Sequence, residues 1–304
     1  LRFFYENREK RFVFASHMNA DIDALSSIYA LHSVFPNSVM AIDGKMDEPG
    51  RIFAERAGIS PVKLSSLRNE DYDGLVVADT SAPSMLKSAE GWRILMIIDH
   101  HRENENSLKA DIVLRDSSAS ATAEMVAGLL PSVSKEAAFA LACGIVSDSA
   151  RFKGGRTNTF KTLVSMMEIA GVDYPEVLGY GEPEPSMELK ELVLRSLKKM
   201  RVERHGGYMI STVKVRDDES FVASALSDFA DAAFVGRWKR SEGETKVSAR
   251  GRKGMPVPLN EVMAQIGREF GGAGGGHAKA AGASAKGRPE IVLKRCVEIL
   301  KGRL

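Results

Sequence analysis

Apolar and polar residues fall in blocks along the first half of the chain, and the length of each block separates strand from helix. Short, nearly unbroken apolar runs stand at residues 11–16 (RFVFAS), 38–43 (SVMAID), 74–79 (GLVVAD) and 94–99 (ILMIID). Runs this short, without alternation, fit strands buried on both faces. Between them, residues 24–35 (ALSSIYALHSVF) and 51–58 (RIFAERAG) place apolar side chains at helical spacing. Strand and helix in turn predict an α/β fold built on a parallel sheet covered on both faces. From residue 118 (SASATAEMVAGLL) to about 180 the pattern is helical, including residues 135–148 (KEAAFALACGIVSD).

The texture then changes. Residues 179–190 (GYGEPEPSMELK) collect Gly, Pro and acid and read as a domain linker. Residues 186–204 (SMELKELVLRSLKKMRVER) have apolar positions at helical spacing and predict a connecting helix. The expected division is therefore a first domain over 1–180, a linker and connecting helix over 181–204, and a smaller second domain over 205–304. Past His205 the strand-like pieces are 207–215, 232–240 and 245–252, with one clear helix at 259–270 (LNEVMAQIGREF). The segment 271–276 is glycine except for Ala273. There is no internal repeat and no coiled-coil heptad.

With 304 residues, 44% of them hydrophobic and 27% charged, the chain is long enough for a real core in each domain. No apolar run approaches the ~18 residues of a membrane span, and the charged N-terminal stretch does not read as a secretory leader, so a cytoplasmic protein is expected. Cys143 and Cys296 lie in apolar surroundings and are expected as buried thiols. The formal net charge of +2 conceals a split. Residues 1–185 carry 19 Lys and Arg against 26 Asp and Glu, a net of −7, and residues 186–304 carry 23 against 14, a net of +9. An acidic half suits metal cations and a basic half suits phosphates.

The candidate chemistry sits at the ends of predicted elements. His17 follows the first strand, Asp21 and Asp23 stand at the start of the first helix, and Asp79 closes the run GLVVAD. Asp99 closes ILMIID, with His100 and His101 after it, and Asp148 ends a helical run. Any one of these acids has a plain explanation as a helix cap or turn residue. A parallel sheet, however, gathers them on one edge, outside the carboxyl ends of its strands. Imidazole with several carboxylates and no nearby thiol describes a site for hard or borderline divalent ions such as Mn²⁺ or Mg²⁺. The set exceeds what one ion takes, and a pair of ions bridged by a carboxylate suits phosphoryl chemistry.

Four ordered stretches, HMNADIDA, VVADTS, IIDHH and GIVSDS, resemble the motifs of the DHH phosphoesterase superfamily, and GGGHAKAAG resembles the signature of its DHHA1 C-terminal domain. The resemblance covers nearly the whole chain, and it implies an N-terminal parallel-sheet DHH domain plus a smaller α/β DHHA1 domain, with the active site in the cleft between them. It implies two divalent ions, manganese first and magnesium as the alternative. One would be held by His17, Asp21 and Asp79, the other by Asp23, Asp79, His100 and Asp148, with Asp79 as the bridge. Asp99 would support a ligand from behind, and His101 would face the substrate, stabilising a phosphate or protonating the leaving oxygen. Ala20 and Ile22 stand where many relatives have Pro and Gly. In the basic half, backbone N–H groups of Gly274, Gly275 and Gly276 are expected to approach a phosphate closely, with His277 as an added donor. Arg250, in VSARGR, is the candidate for a bidentate phosphate contact, followed by Arg252 and Lys253. Phe152 is weighed between a base-stacking role and a core role. His32 and His205 fit no motif.

Within the superfamily, the resemblance points to the compact nanoRNase and 3′-phosphoadenosine 5′-phosphate phosphatase-like branch. The expected activity is metal-dependent hydrolysis of short oligonucleotides or small nucleotide phosphoesters to nucleoside monophosphates. A cyclic or linear dinucleotide phosphodiesterase and a single-strand-specific exonuclease are the enzymatic alternatives, and a nucleotide-binding sensor the non-enzymatic one. Expected partners are short single-stranded oligonucleotides or small nucleotides and no membrane, with a homodimer left open.

Overall fold

The computed structural model of the chain describes residues 3, 6–101, 107–149, 152, 155–252 and 254–304. It divides into two compact units, residues 1–184 and 185–304.

The first unit is built on a six-stranded, all-parallel sheet. Its strands are β1 (Phe12–Ser16), β3 (Val39–Ile42), β5 (Val62–Lys63), β6 (Gly74–Ala78), β7 (Ile94–Asp99) and β8 (Ile112–Arg115), in the spatial order β5-β3-β1-β6-β7-β8. β1 and β6 are buried along their whole length, which is why their sequences are apolar without alternation. A separate two-stranded pairing joins β2 (Asn19–Ala20) to β4 (Lys45–Met46). Among the described residues the unit also carries the helices α1 (Ile22–Ser33), α2 (Glu48–Ala57), α3 (Thr122–Leu129), α4 (Lys135–Asp148), α5 (Thr157–Ala170) and α6 (Tyr174–Gly181). The main core joins Phe12, Phe14, Leu25, Leu31 and Phe35 to Leu141, Ile145 and Val146, so that α1 and α4 cover one face of the sheet together. Gly144 permits their close approach, since a Cβ there would lie 2.1 Å from the Ser26 Oγ. A second cluster around Val13, Leu75, Val77 and Ile97 fills the opposite face. Cys143 and Cys296 are both free and buried, and burial pushes both thiols up.

The second unit carries a mixed six-stranded sheet in the order β13-β14-β12-β11-β10-β9. Its strands are β9 (Arg201–His205), β10 (Tyr208–Val215), β11 (Ala232–Lys239), β12 (Glu244–Gly251), β13 (Ala273–Gly276) and β14 (Ala280–Lys286). Only β10 and β11 run parallel, in the register Val213 to Val235. The helices are α7 (Met187–Lys199), α8 (Glu219–Leu226), α9 (Leu259–Glu269) and α10 (Pro289–Lys301). α9 and α10 cover one sheet face through Val262, Met263, Ile266, Val292 and Cys296, and α7 and α8 cover the other through Leu192, Leu197, Val222 and Leu226.

Three expectations change here. The connecting helix stops at Lys199, and Arg201–His205 forms an edge strand instead. Gly206 and Gly207, at φ 56° and 83°, turn that strand back onto β10. α8 and α10 join the one helix that the pattern made clear; α10 is amphipathic and starts at Pro289, a residue suited to the first helical turn. β8 also escaped the pattern, because an edge strand with exposed Ile112 and Val113 lacks the unbroken burial of its neighbours. No described helix is long and apolar enough to cross a membrane.

Candidate active site

The sheet order locates the site. The chain enters the first sheet at its centre with β1, moves outward to β3 and β5, and returns on the other side of β1 as β6, β7 and β8. The connections leaving β1 and β6 therefore diverge, and a crevice opens at their carboxyl ends. His17 is the first residue after β1, and Asp79 the first after β6. The His17 Nε2 lies 3.3 Å from the Asp79 Oδ2. Asp79 has φ 65°, a left-handed conformation that Asp tolerates better than most residues. Its N–H donates to the Ile98 carbonyl at 2.9 Å, which holds the turn in place.

α1 begins at the same edge. Asp21 is its N-cap and accepts from the Ala24 N–H at 3.0 Å. Asp23, in the first turn, is almost fully buried, and both of its oxygens accept backbone N–H groups, from Thr122 at 2.7 Å and Ala123 at 2.8 Å. These are the first amides of α3, whose own N-cap position, Ala121, has no side chain to offer. A carboxylate about a hundred residues away in sequence therefore caps α3. The Thr122 hydroxyl also donates to the Asp79 Oδ1 at 2.9 Å, tying the two acids to one residue.

The two histidines of the DHH stretch face different partners. The His100 Nδ1 lies 3.4 Å from the Ala119 carbonyl, which can only accept, so this nitrogen carries the proton. Its Nε2 lies 3.2 Å from the Asp148 Oδ2 and 3.7 Å from the Asp79 Oδ1. The His101 Nδ1 is 2.8 Å from the Asp99 Oδ1, and the same oxygen accepts the His101 backbone N–H at 3.0 Å.

Burial raises the carboxyls of Asp23 and Asp79 well above the usual range, and the crowding of Asp21 and Asp148 adds to it. Asp99 goes the other way: burial opposes its charge, but hydrogen bonds from His101 and Ser81 outweigh that and hold it low. Burial likewise opposes a charged His101, yet Asp99 and Asp79 keep its ring protonated up to about 9. Asp47, the N-cap of α2, is pushed up to about 6 by burial, with Asp21 adding to the shift. Several buried carboxylates held close together are unfavourable without cations. Three groups offer ligand atoms within 4.8 Å of one another: His17, Asp21 and Asp79; Asp23, His100 and Asp148; and Asp79, His100 and His101. The buried His17 Nδ1 has no hydrogen-bond partner among the described residues. Sulfur-free donors, an orphaned imidazole nitrogen and uncompensated carboxylates fit hard or borderline divalent cations.

The structure thus brings together His17, Asp21, Asp23, Asp79, Asp99, His100, His101 and Asp148. Asp79 belongs to two of the three groups, and His101 falls inside one of them rather than outside all. Thr122 and Asp47 were missed by sequence reasoning. A Thr in a helix's first turn is ordinary, and only the long-range capping by Asp23 reveals its position. Phe152 packs with Phe160 and Tyr174, ring centroids 4.9 and 6.1 Å away, which favours the core role. His32 contacts the Ser38 hydroxyl at 2.7 Å, and His205 ends β9.

In the second unit, register places Arg250 of β12 opposite Ala280 of β14, beside the turn in which His277 and Ala280 exchange backbone hydrogen bonds. The Arg250 guanidinium donates to the Ala249 carbonyl at 3.0 Å and to the Ser220 hydroxyl at 2.8 Å, with no carboxylate partner among the described residues. Burial lowers its pKa, the response of a cation without a counter-charge. Arg252 is engaged with Asp231, and Lys253 lies outside the described residues. The glycines divide. A Cβ on Gly274 would strike the Met263 carbonyl oxygen at 1.9 Å, Gly276 has φ 122°, and Gly275 faces open space. Packing of β13 on α9 explains Gly274, and backbone conformation explains Gly276. Of the three, only Gly275 has neither a steric nor a conformational need to be glycine. His277 is exposed.

Comparison with known proteins agrees with this geometry. The N-terminal domain model of the DHH family matches residues 11–145, and the DHHA1 domain model matches residues 208–304. An uncharacterized protein of Methanocaldococcus jannaschii is 28% identical over 294 residues, covering 90% of this chain and 86% of that protein. The bifunctional oligoribonuclease and PAP phosphatase NrnA of Thermus thermophilus is 29% identical over 235 residues, covering 70% of this chain and 65% of NrnA. An exopolyphosphatase-related protein from Bacteroides fragilis shares the fold over 99% of this chain and 94% of that one, with a TM-score of 0.80 at 19% identity. None of these relatives bears on a homodimer. With both domain models matched in order and the acid and histidine motifs converging at the switch point of the sheet, the chain belongs to the DHH family of phosphoester hydrolases, with a DHHA1 domain as its second part.

Proposed function

We propose that the protein hydrolyses short oligonucleotides or small nucleotide phosphoesters to nucleoside monophosphates. The carrying observation is the cluster of four carboxylates and two imidazoles at the β1/β6 switch point, His17, Asp21, Asp23, Asp79, His100 and Asp148. In this reading His17, Asp21 and Asp79 hold one divalent ion and Asp23, Asp79, His100 and Asp148 a second, manganese before magnesium. Bound there, the ions supply a nucleophilic water at neutral pH and neutralise charge developing on phosphorus oxygens.

The chain's own side chains account for the rest. Asp23 and Asp79 are fixed in place by Thr122 before any cation arrives, so little reorganisation remains to be done. Asp99 orients His101 through its Nδ1, and the protonated ring can pair with a phosphate oxygen or give its proton to the leaving oxygen. Arg250 keeps guanidinium donors available for a second phosphate, with the backbone at Gly275 and the exposed His277 beside its strand. We take residues 1–180 as the metal-holding domain, 181–204 as linker and 205–304 as the nucleotide-holding domain, a division supported by the compact units 1–184 and 185–304.

The substrate class is supported by the name of the Thermus relative, an oligoribonuclease and PAP phosphatase, although the alignment spans 65% of that enzyme. The test is kcat/KM over a length series of single-stranded RNA and DNA with Mn²⁺ at fixed salt, since phosphate contacts make the values salt-dependent. Efficiency is expected to peak at roughly two to five residues, because the sequence has two tryptophans and no aromatic-rich basic stretch to stack a longer strand. Efficiency still rising beyond about ten residues would instead identify a single-strand exonuclease.

A further inference from the structure

The second unit holds a basic pocket that the proposed chemistry does not use. It has a volume of about 860 Å³, and six of its twelve lining side chains are cationic: Arg195, Lys199, Lys214, Arg216, Arg240 and Arg288. One lining acid, Glu290, is engaged by Lys214, and Arg195 pairs with Glu191 at 2.8 Å just outside the lining. Lys199, Arg216, Arg240 and Arg288 form no ion pair among the described residues. Four unpaired cations gathered around one concavity repel each other, and an anion relieves that repulsion.

The place is set by the fold. Lys214 to Arg216 and Trp238 to Arg240 are the carboxyl ends of β10 and β11, the one parallel pair in this sheet, and Arg288 to Glu290 begin α10. Arg250 lies opposite Ala233 at the other end of β11, and Lys239 lies opposite Glu244. At ~3.3 Å per residue the pocket is roughly 20 Å from Arg250 along the strands, so one small ligand cannot occupy both. Trp238 lines the same pocket, is half-buried, and belongs to neither core of the unit. A half-buried indole bordered by arginines offers a ring face to a base while the cations take phosphates.

We propose that this pocket is a second binding site, separate from the Arg250 contact of the same unit, for a nucleotide carrying two or more phosphates. The inference does not rest on the hydrolytic reading above. Trp92→Phe leaves Trp238 as the sole tryptophan, and its fluorescence is titrated in the full chain with an ATP analogue bearing a methylene bridge between the β and γ phosphates. Saturable quenching is expected. It should weaken tenfold or more in the Arg216→Ala, Arg240→Ala, Arg288→Ala triple variant and about threefold in Arg240→Ala alone, with Arg250→Ala within twofold of the parent. The single variant, at an exposed position, keeps the test valid should the triple variant fail to fold. Absence of quenching, or equal affinity in Arg240→Ala, overturns the site. Inorganic tripolyphosphate binding as tightly as the analogue removes the ring contact and overturns the nucleotide assignment. An oligonucleotide of about twelve residues binding more tightly in proportion to its length does the same in favour of a strand.

Discussion

The two units treat charge in opposite ways. In residues 1–184 the functional acids gather at the carboxyl ends of an all-parallel sheet, with Asp23 and Asp79 buried, and three are oriented by a neighbour: Asp21 by the Ala24 amide, Asp23 by the start of α3, Asp79 by Thr122. In residues 185–304 the basic side chains sit at strand ends and turns, and several have no counter-charge among the described residues. The first arrangement fixes geometry and leaves charge uncompensated until cations bind. The second leaves both geometry and charge to be completed by an anion. A mutation in the first unit should therefore act through metal content, and one in the second through substrate affinity.

The sharpest way to break that contrast is Asp79→Ala. Asp79 belongs to two of the three ligand groups, so its loss should remove detectable activity at any Mn²⁺ concentration and lower the bound manganese. His17→Ala, which touches one group, should be partly rescued by excess metal. Two ions retained per chain in Asp79→Ala, measured by elemental analysis, would contradict the bridging role.

Next in size is Arg250→Ala, which should leave manganese content unchanged. We expect hydrolysis of a dinucleotide to fall ~10²-fold, the consequence of losing ~3 kcal/mol of charge-assisted contacts. A small chromogenic phosphodiester with no second phosphate should lose far less. Equal losses on both substrates would remove the division between the units.

The contrast also explains what the sequence made legible. Every acid and histidine of the first site stands at an end of a predicted strand or helix, and a parallel sheet gathers such ends whatever lies between them. Thr122 is invisible at that level because its role depends on Asp23 reaching α3 across about a hundred residues, and no periodicity encodes that contact. In the second unit the pattern was weaker for a physical reason. β9 is exposed throughout and β13 is nearly all glycine, so neither has the burial that writes an apolar pattern. Glycines 274 to 276 were legible as a motif but not in their separate duties, which follow from what lies within 4 Å of each.

Thr122→Val tests the orienting contact alone. It removes the hydroxyl that holds the Asp79 Oδ1 and keeps the backbone N–H that Asp23 accepts. Removing a group that orients a metal ligand costs 10–100-fold in affinity or activity, and a loss near the lower figure is expected, with manganese affinity falling in parallel.

Stability of the metal-free protein should follow pH in a defined direction. Asp23, Asp79 and Asp47 have folded-state values above their unfolded ones, so the folded state binds more protons and stability falls as pH rises from about 4 through the raised values. His101, held up to about 9, adds stability that is complete below about 6.5 and lost as pH rises through 9. Asp99 is lowered, and its contribution fades only below about 4. Between pH 5 and 9 the raised groups act in the same sense. The Tm of chelator-treated protein should drop by several degrees across that range, and saturating Mn²⁺ should flatten the slope. A metal-free Tm that rises with pH would refute the placement of these acids in one uncompensated cluster.

The smallest effect separates packing from recognition within the glycine turn. Gly274→Ala would drive a Cβ to within 1.9 Å of the Met263 carbonyl oxygen, and β13 would have to leave α9 to accommodate it. That variant should lose stability and activity together, which says nothing about the ligand. Gly275→Ala meets no atom within 4 Å and its φ lies outside the left-handed region, so stability should stay within about 0.5 kcal/mol or rise slightly as the unfolded chain loses freedom. A methyl group there still stands where a phosphate would approach the backbone. Dinucleotide KM should therefore rise a few-fold while kcat on the small chromogenic substrate and the Tm stay unchanged. If KM is unaltered too, the turn contributes no backbone contact, and the phosphate grip of this unit belongs to Arg250 and His277 alone.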